Sequence, residues 1–324
     1  MKSRNVLLES SRWKTWEWGM WFFAFATPFL FARHALIINE IAFVAIFAMS
    51  LDLILGYAGI VSLGQAAFLG IGAYTAGLFA KYINADPLFG LLVGIAVASF
   101  LGAFLSLTII RGSDLTRLMV TLGVAFILME LANKFDSFTG GSDGLQGVVM
   151  SPLLGHFEFD LNGRTAAFYS LSVLFIIFVL ARHLIHSSFG ATLKAVRDNR
   201  LRAMAIGISV RSKLVVIYTI SAGIAGAAGA LLAQTTGFVS LDVFALDRSA
   251  DVMLMVVIGG VGWLFGGVIG AVVFKLLHDI ISSITPQYWT FWIGLFLVVL
   301  MLVGREKFIR PWQWLAITRR GGKK

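Results

Sequence analysis

The sequence lacks several features on which soluble enzymes depend. It contains no cysteine, which excludes disulfides, thiol catalysis and cysteine-ligated metal sites. Its five histidines are scattered without metal-ligand spacing. A phosphate-cradling Gly-x-x-x-x-Gly-Lys-Ser/Thr loop, a His-Glu-x-x-His pair and a Gly-x-Ser-x-Gly elbow are also missing. We therefore expect no enzyme, no catalytic residue and no bound metal.

Charged residues are scarce as well. They make up 13% of the chain, whereas apolar residues make up 58%, and the mean hydropathy is +0.87. Uncharged runs recur that could cross the roughly 30 Å hydrocarbon core of a bilayer, for which about 20 helical residues suffice. A soluble domain of this size cannot bury several helices that are apolar all round. The sequence predicts an all-α fold, a polytopic transmembrane helical bundle with residues 1–324 forming a single domain.

The distribution of basic residues predicts the orientation of this bundle. The segment 182–213 and the tail 304–324 are rich in Lys and Arg, with one acid each. Connecting segments of this kind stay in the cytoplasm. The segments 133–165 and 242–251 are mainly acidic instead and should face outward. With the basic N-terminal segment 1–17 also inside, we expect both termini in the cytoplasm and an even number of crossings.

Glycine-rich interruptions bear on the number of crossings. The apolar runs are 18–32, 36–51, 53–80, 88–110, 116–132, 166–181, 214–240, 252–274 and 289–303. An even total requires 252–274 to break near Gly259, Gly260 and Gly262, as a half-helix or as a tight turn between two helices. We expect eight to ten crossings. A second glycine-interrupted run at 56–72 suggests an inverted repeat, and close packing through small residues is the alternative explanation.

The basic segment between the two halves is a candidate contact for another protein. Residues Ala191 to Ala205 favour a helix, and Gly207 suits its C-terminal cap. Small residues there would let a partner approach the backbone closely, whereas anchoring to lipid headgroups is the alternative. Charge inside the runs is rare, and Glu130 lies near the outer end of its run. We expect a transport path without strong charge of its own.

Short motifs recur in a fixed order between about Leu51 and Gly304. They are Gly56-Tyr57-Ala58-Gly59, Ser62-Leu63-Gly64-Gln65, Thr139-Gly140-Gly141-Ser142-Asp143-Gly144-Leu145, Arg197-Asp198-Asn199 followed by Ala203, Ala205 and Gly207, and Ile258-Gly259-Gly260-Val261-Gly262. Together they resemble the LivM-type permeases of branched-chain amino-acid ABC importers, a family that also contains urea and amide transporters. The chain departs from the family pattern at Arg200, Met204 and Phe126, at or near positions where members often carry acids.

The resemblance implies a role for each motif. A helix that couples to the ATPase would comprise Arg197, Asp198, Asn199, Ala203, Ala205 and Gly207. The translocation path would be flanked by Gly56, Gly59, Ser62, Gly64, Gln65, Gly259, Gly260 and Gly262. The outer loop that meets a binding protein or lines the entrance would comprise Gly140, Gly141, Ser142, Asp143 and Gly144.

The resemblance also implies an assembly in the bacterial inner membrane. This chain would form a heterodimer with a second, related permease, and would bind two ATP-binding subunits and a periplasmic substrate-binding protein. ATP would be used by the partner subunits, with no cofactor on this chain and no nucleic acid. A branched-chain amino acid is the expected cargo, with urea or a short amide as the alternative. A different class, an ion-coupled secondary carrier, would need titratable groups inside the bundle.

Overall fold

The structure, a computed structural model, describes residues 15–303 apart from 110, 111, 113 and 161. Within these residues extended pairing is limited to the isolated bridges Leu145–Val239 and Leu153–Phe157. The helices are α1 (Thr15–Leu30), α2 (Ala35–Asp52), α3 (Gln65–Tyr82), α4 (Pro87–Ile109), α5 (Asp114–Lys134), α6 (Asp136–Thr139), α7 (Arg164–His186), α8 (Ser188–Asp198), α9 (Arg200–Ala205), α10 (Val210–Thr236), α11 (Leu246–Gly259), α12 (Leu264–Ile284) and α13 (Trp289–Val303). The all-α prediction is confirmed for this part of the chain, and the tail 304–324 and residues 1–14 lie outside it.

The centre of the bundle is α10, which packs against α2, α3 and α4. Small residues make this packing close: a Cβ on Gly226 would overlap Ala98, and a Cβ on Gly102 would overlap Ala222. Helices in a membrane associate through such small-residue contacts because lipid provides no hydrophobic drive between them. Helix α5, in contrast, has few buried residues along its length.

Contacts between distant segments define two ends of the bundle. At one, the Leu36 end, Gly163 packs on Leu36 and residue 145 pairs with residue 239. At the other, the Arg197 end, the α8 residue Arg197 reaches the end of α2, and Trp16 of α1 packs on Phe265 at the start of α12. The short-helix segment, defined as residues 188–207, therefore lies at the same end as the connection between α11 and α12.

Six helical stretches are long and apolar enough to cross a membrane. They are Ala32–Tyr57, Pro87–Ile109, Leu115–Lys134, Arg164–His186, Val210–Thr236 and Leu264–Ile284. A polytopic membrane protein is therefore confirmed, whereas the count of eight to ten crossings remains a prediction.

The apolar run 53–80, which the sequence presents as one span, is divided in the structure. Residues Leu53–Tyr57 continue α2 as a π-helical turn, and α3 begins only at Gln65. Between them the chain turns back at Gly59, whose φ of +67° favours glycine. The interruption expected in this glycine-rich run is therefore present at Gly59, where the backbone takes a conformation that ends a helix, but the run contributes to both α2 and α3 and is not one span.

The predicted break in the run 252–274 is confirmed. Helix α11 ends at Gly259, and α12 begins at Leu264 after Gly260 and Gly262, which have φ of +104° and +77°. Helix α11 has 14 residues and so measures about 21 Å, shorter than a bilayer core. The break thus has features of both predicted forms, since a tight turn joins a short helix to a long one.

Two expectations about the basic segment need correction. The single helix predicted over Ala191 to Ala205 is two helices, α8 and α9, because Asn199 is extended at φ −160° and ψ 108°. Residue Arg182, assigned to the 182–213 loop, lies inside α7, where it is buried and paired with Glu17 at 3.0 Å.

Candidate coupling and translocation site

The short-helix segment is shaped by three local signals. The Ser187 hydroxyl accepts a hydrogen bond from the Gly190 N–H at 3.4 Å, which caps α8. The Asn199 side chain accepts one from the Arg202 N–H at 2.9 Å, which caps α9. Gly207, with φ +84°, ends the segment, and its N–H bonds to the Met204 carbonyl at 3.0 Å. The predicted C-terminal cap at Gly207 is confirmed.

Helix α9 and Ile206, which follows it, present apolar side chains away from the bundle. Leu201, Met204 and Ile206 are 75%, 51% and 74% exposed, whereas Ala203 is buried. Exposed apolar side chains grouped on a polar element are typical of protein contacts. Sequence reasoning selected the small residues and missed these larger ones, although their apolar character among basic neighbours was a usable signal.

Arg197 joins this segment to the bundle. Its Nη1 donates a hydrogen bond to the Gly56 carbonyl at 2.5 Å, in the π-helical turn that ends α2. A Cβ on Gly59 would lie 2.9 Å from the Arg197 Cγ, so only glycine leaves room for the arginine stem. The Asp198 carboxylate lies 3.4 Å from the same guanidinium. The resemblance assigned Arg197 to the coupling helix and Gly56 and Gly59 to the translocation path, and the structure brings these residues together.

The two glycine-rich breaks also meet each other. The Asp52 Oδ1 accepts a hydrogen bond from the Gly262 N–H at 2.7 Å. A Cβ on Gly262 would lie 3.1 Å from the Gly56 carbonyl and 3.2 Å from the Arg197 Nη1. The end of α2, the turn before α12 and the last turn of α8 therefore form one cluster of backbone and side-chain contacts. We call this cluster the glycine junction (Asp52, Gly56, Gly59, Arg197 and Gly262).

Other residues predicted for the translocation path are buried in helix packing. Gln65 donates to the Ser221 hydroxyl at 2.7 Å, and Ser221 donates to the Ser50 carbonyl at 2.6 Å. A Cβ on Gly64 would lie 2.6 Å from the Thr121 carbonyl. Ser62 is likewise 1% exposed. In this chain these residues join α2, α3, α5 and α10, and their role as path residues remains a prediction.

Gly259 and Gly260 also serve close packing. A Cβ on Gly259 would overlap the Gly266 carbonyl, so α11 and α12 approach backbone to backbone. Gly260 is buried in the turn that follows. These contacts are an example of packing through small residues, which was the alternative explanation of the glycine runs.

The loop predicted to face outward is held against the α10–α11 connection. The Leu145 N–H donates to the Val239 carbonyl at 2.8 Å, and the Thr139 hydroxyl donates to the Ala132 carbonyl at 2.5 Å. Gly140, Gly141 and Gly144 all have positive φ, which makes this loop tightly turned. The side chains of Ser142 and Asp143 are exposed. A binding protein could reach them, and that contact remains a prediction.

Sequence reasoning missed an ionic cluster near the middle of α12. Lys275 contacts Glu40 of α2 at 2.7 Å and Asp279 at 3.2 Å, and His278 lies 3.4 Å from Asp279. Lys275 has only 14% of its side chain exposed. The i, i+4 spacing of Lys275 and Asp279 was visible in the sequence, but their pairing with Glu40 depends on how α2 packs on α12.

Comparison with known proteins identifies the family of the chain. A family model described as "branched-chain amino acid transport system / permease component" matches residues 35–303, most of the chain. The chain belongs to that family. This permease family places the chain among transport subunits of ABC importers, not enzymes, and ATP is used by partner ATPases. Importers of this kind also include a binding-protein component.

Individual relatives agree with the family. The high-affinity branched-chain amino acid transport system permease proteins LivM of Escherichia coli K12 and Salmonella typhimurium are each 29% identical over 89% of this chain and 72% of their own length. The fructose import permease protein FruG of Bifidobacterium longum is 26% identical over 72% of each chain. No solved structure matches the chain.

Proposed function

We propose that this permease imports branched-chain amino acids across the bacterial inner membrane. It does so as a heterodimer with a second, related permease, together with two ATP-binding subunits and a periplasmic binding protein. The LivM relatives support the cargo. The observation that carries the mechanism is the hydrogen bond from Arg197 to Gly56, since it links an exposed element to a helix break inside the bundle.

In this mechanism the ATPase contacts the short-helix segment from outside the bundle. Leu201, Met204 and Ile206 enter a cleft on the ATPase, because they are exposed apolar side chains on a capped helix. Closure of the ATPase dimer moves the segment. Arg197 carries the movement to the glycine junction, where the Asp52 carboxylate at the end of α2 accepts a hydrogen bond from the Gly262 N–H in the turn before α12. The two halves of the path then change their relative position.

A function test compares Arg197 of the short-helix segment with Arg211 at the start of α10. Arg197 bonds Gly56, whereas Arg211 is exposed at the start of α10 and forms no ion pair within the described residues. Replacing Arg197 by Leu should lower ATP-driven leucine uptake at least tenfold, a loss of about 1.4 kcal/mol of coupling or more, while ATP hydrolysis persists. Arg211→Leu removes the same charge and should leave uptake near the wild-type level. Equal uptake by both variants would refute the role of the junction.

Cargo is tested with the purified full complex in proteoliposomes. We expect ATP-dependent uptake of L-leucine, L-isoleucine and L-valine when the cognate binding protein is present. Fructose is the second candidate, because permeases named for fructose import are among the relatives. Urea and short amides are measured in parallel. Uptake that continues without ATP under an ion gradient would instead support a secondary carrier.

The same proposal places the Arg197 end in the cytoplasm. Counting α1 to α5, α7 and α10 to α13 as crossing elements gives ten, and both ends of the described chain then lie at that side. The absence of cysteine allows single-cysteine mapping. Ser209→Cys should resist an impermeant thiol reagent in intact cells, and Ser142→Cys, equally exposed, should react. The reverse pattern would invert the orientation.

A further inference from the structure

A cavity of about 510 Å³ opens at the Leu36 end, away from the glycine junction. It lies between α2, the end of α10, the connection 237–245 and the first turn of α11. Small-molecule sites in proteins measure about 300–1,000 Å³. The cavity is therefore large enough for a single metabolite, and it is lined by both polar and apolar side chains.

Charges of opposite sign face this cavity from different elements. The Arg248 side chain, on α11, is exposed and makes no ion pair with any residue that the structure describes. Glu40, on α2, bonds Lys275 through Oε1 at 2.7 Å, and 39% of its side chain is exposed. Its second oxygen has no hydrogen bond to the described residues. Each group thus retains capacity for a charged ligand.

The polar floor of the cavity is fixed in place before any ligand arrives. The Asn39 Nδ2 donates to the Thr235 hydroxyl at 3.0 Å, and the Asn39 Oδ1 accepts from the Ser170 hydroxyl at 2.6 Å. Thr235 in turn donates to the Leu231 carbonyl at 2.7 Å. Since these side chains already have partners, the site loses little conformational entropy on binding.

Apart from Thr236 and Ser240, the rest of the lining is apolar. Leu36 and Phe43 extend from α2, Leu232 from α10 and Val243 from the following 3₁₀ turn. With Asn39 and Glu40, the α2 residues follow the spacing i, i+3, i+4 and i+7, so one face of the helix supplies both an acid and an apolar wall. This combination fits a ligand with one positive group, one negative group and a compact apolar body.

We propose that the cavity binds the zwitterion of a small apolar amino acid at the entrance to the permease. The Arg248 guanidinium pairs with the ligand carboxylate, the Glu40 carboxylate pairs with its ammonium group, and the apolar wall holds its side chain. Charge-assisted hydrogen bonds of this kind are about twice as strong as neutral ones. This site rests on the proposed function and adds to it a substrate-binding site within the permease, separate from the site on the binding protein.

A cysteine-protection experiment tests the site, because it detects ligand binding even when the affinity is low. Thr236 lines the cavity and is exposed, whereas Gln146 is exposed at the same end outside it. Thr236→Cys and Gln146→Cys are made in the full complex, reconstituted in phosphatidylcholine–phosphatidylglycerol vesicles without binding protein. Labelling of this chain by a thiol reagent is timed. With a Kd of about 1 mM, about 10 mM L-leucine should slow labelling at Thr236→Cys roughly tenfold.

Two leucine analogues test the contributions of the carboxylate and the ammonium group separately. Leucinamide lacks the carboxylate and 4-methylpentanoate lacks the ammonium group, so neither should protect at the same concentration. Adding Arg248→Gln to Thr236→Cys should abolish protection by leucine. Unchanged labelling with leucine, equal protection by both analogues, or equal protection at Gln146→Cys would each overturn the proposal.

A phosphatidylethanolamine headgroup also pairs an ammonium with an anion. If adding this lipid to the vesicles slows labelling at Thr236→Cys and leucine does not, the cavity is a lipid site and the amino-acid proposal fails. The proposed function has an independent readout, which is ATP-driven uptake by the unmodified complex. Uptake without protection removes only the cavity, whereas absence of leucine uptake removes the function itself.

Discussion

The two ends of the bundle are built in different ways. At the Arg197 end, side chains bond backbone atoms across glycine contacts, as Asp52 does with Gly262 and Arg197 with Gly56. At the Leu36 end, side chains surround an open volume, with Glu40 and Arg248 partly free. Short bonds to the backbone tie the positions of the joined elements together, whereas an open volume has room for a solute. Under the proposed function, the first end would transmit force and the second would admit solute.

The largest loss of stability is expected from breaking the buried ion pair at the Arg197 end. Arg182 and Glu17 join α7 to α1 with 7% and 6% of their side chains exposed. Replacing Arg182 by Met removes the buried ion pair with Glu17 and should cost about 3–5 kcal/mol. Thermal unfolding of the purified protein measures this loss. The double change with Glu17→Gln should recover part of it, and no recovery would mean that Arg182 acts through other contacts.

A smaller effect is expected at the glycine junction. A Cβ on Gly56 would overlap the Asp52 carboxylate and the Gly262 N–H, so Gly56→Ala should cost about 1–3 kcal/mol by overpacking. Gly123 in α5 is the matched control, because nothing lies within 4 Å of its Cβ position. Gly123→Ala should be neutral or slightly stabilising, through better helix propensity. Similar melting temperatures for the two variants would show that the junction can widen.

The smallest effect is expected at the cavity. Thr236 is exposed there, and its hydroxyl bonds only backbone carbonyls at 2.7 and 2.9 Å. Thr236→Cys should change the free energy of unfolding by less than about 0.5 kcal/mol, as for most surface substitutions. The same thermal unfolding assay measures it. A loss as large as that for Gly56→Ala would mean that the two ends are equally tightly packed, and the comparison would fail.

Local rules predicted the parts of this fold that depend on a few neighbouring residues. The break at Gly259 to Gly262 and the cap at Gly207 follow from the conformational freedom of glycine and were visible in the sequence. The second break, at Gly59, was signalled by the same residue type in the glycine-interrupted run 56–72, although the apolar run 53–80 did not show where α2 ends. Composition alone was sufficient to indicate a membrane bundle.

Contacts between distant segments could not be predicted in this way. Arg197 and Gly56 are 141 positions apart, and their hydrogen bond depends on how α8 lies against the end of α2. Arg182 looked like part of a solvated loop because its partner, Glu17, is in another helix. The pairing of Glu40 with Lys275 depends on the rotation of two spans about their own axes, which periodicity does not determine when helices are apolar on several faces.

The Arg197 hydrogen bond also has an electrical aspect. Gly56 lies in the last turn of the helical stretch that begins at Ala35, where the aligned peptide dipoles leave partial negative charge. A guanidinium resting on that pole gains about 0.3–1 kcal/mol, and up to about 2 kcal/mol where solvent is partly excluded. An attraction of that size is at most a few times the thermal energy. Under the proposed function, the contact between α8 and the end of α2 can therefore break and re-form in each transport cycle.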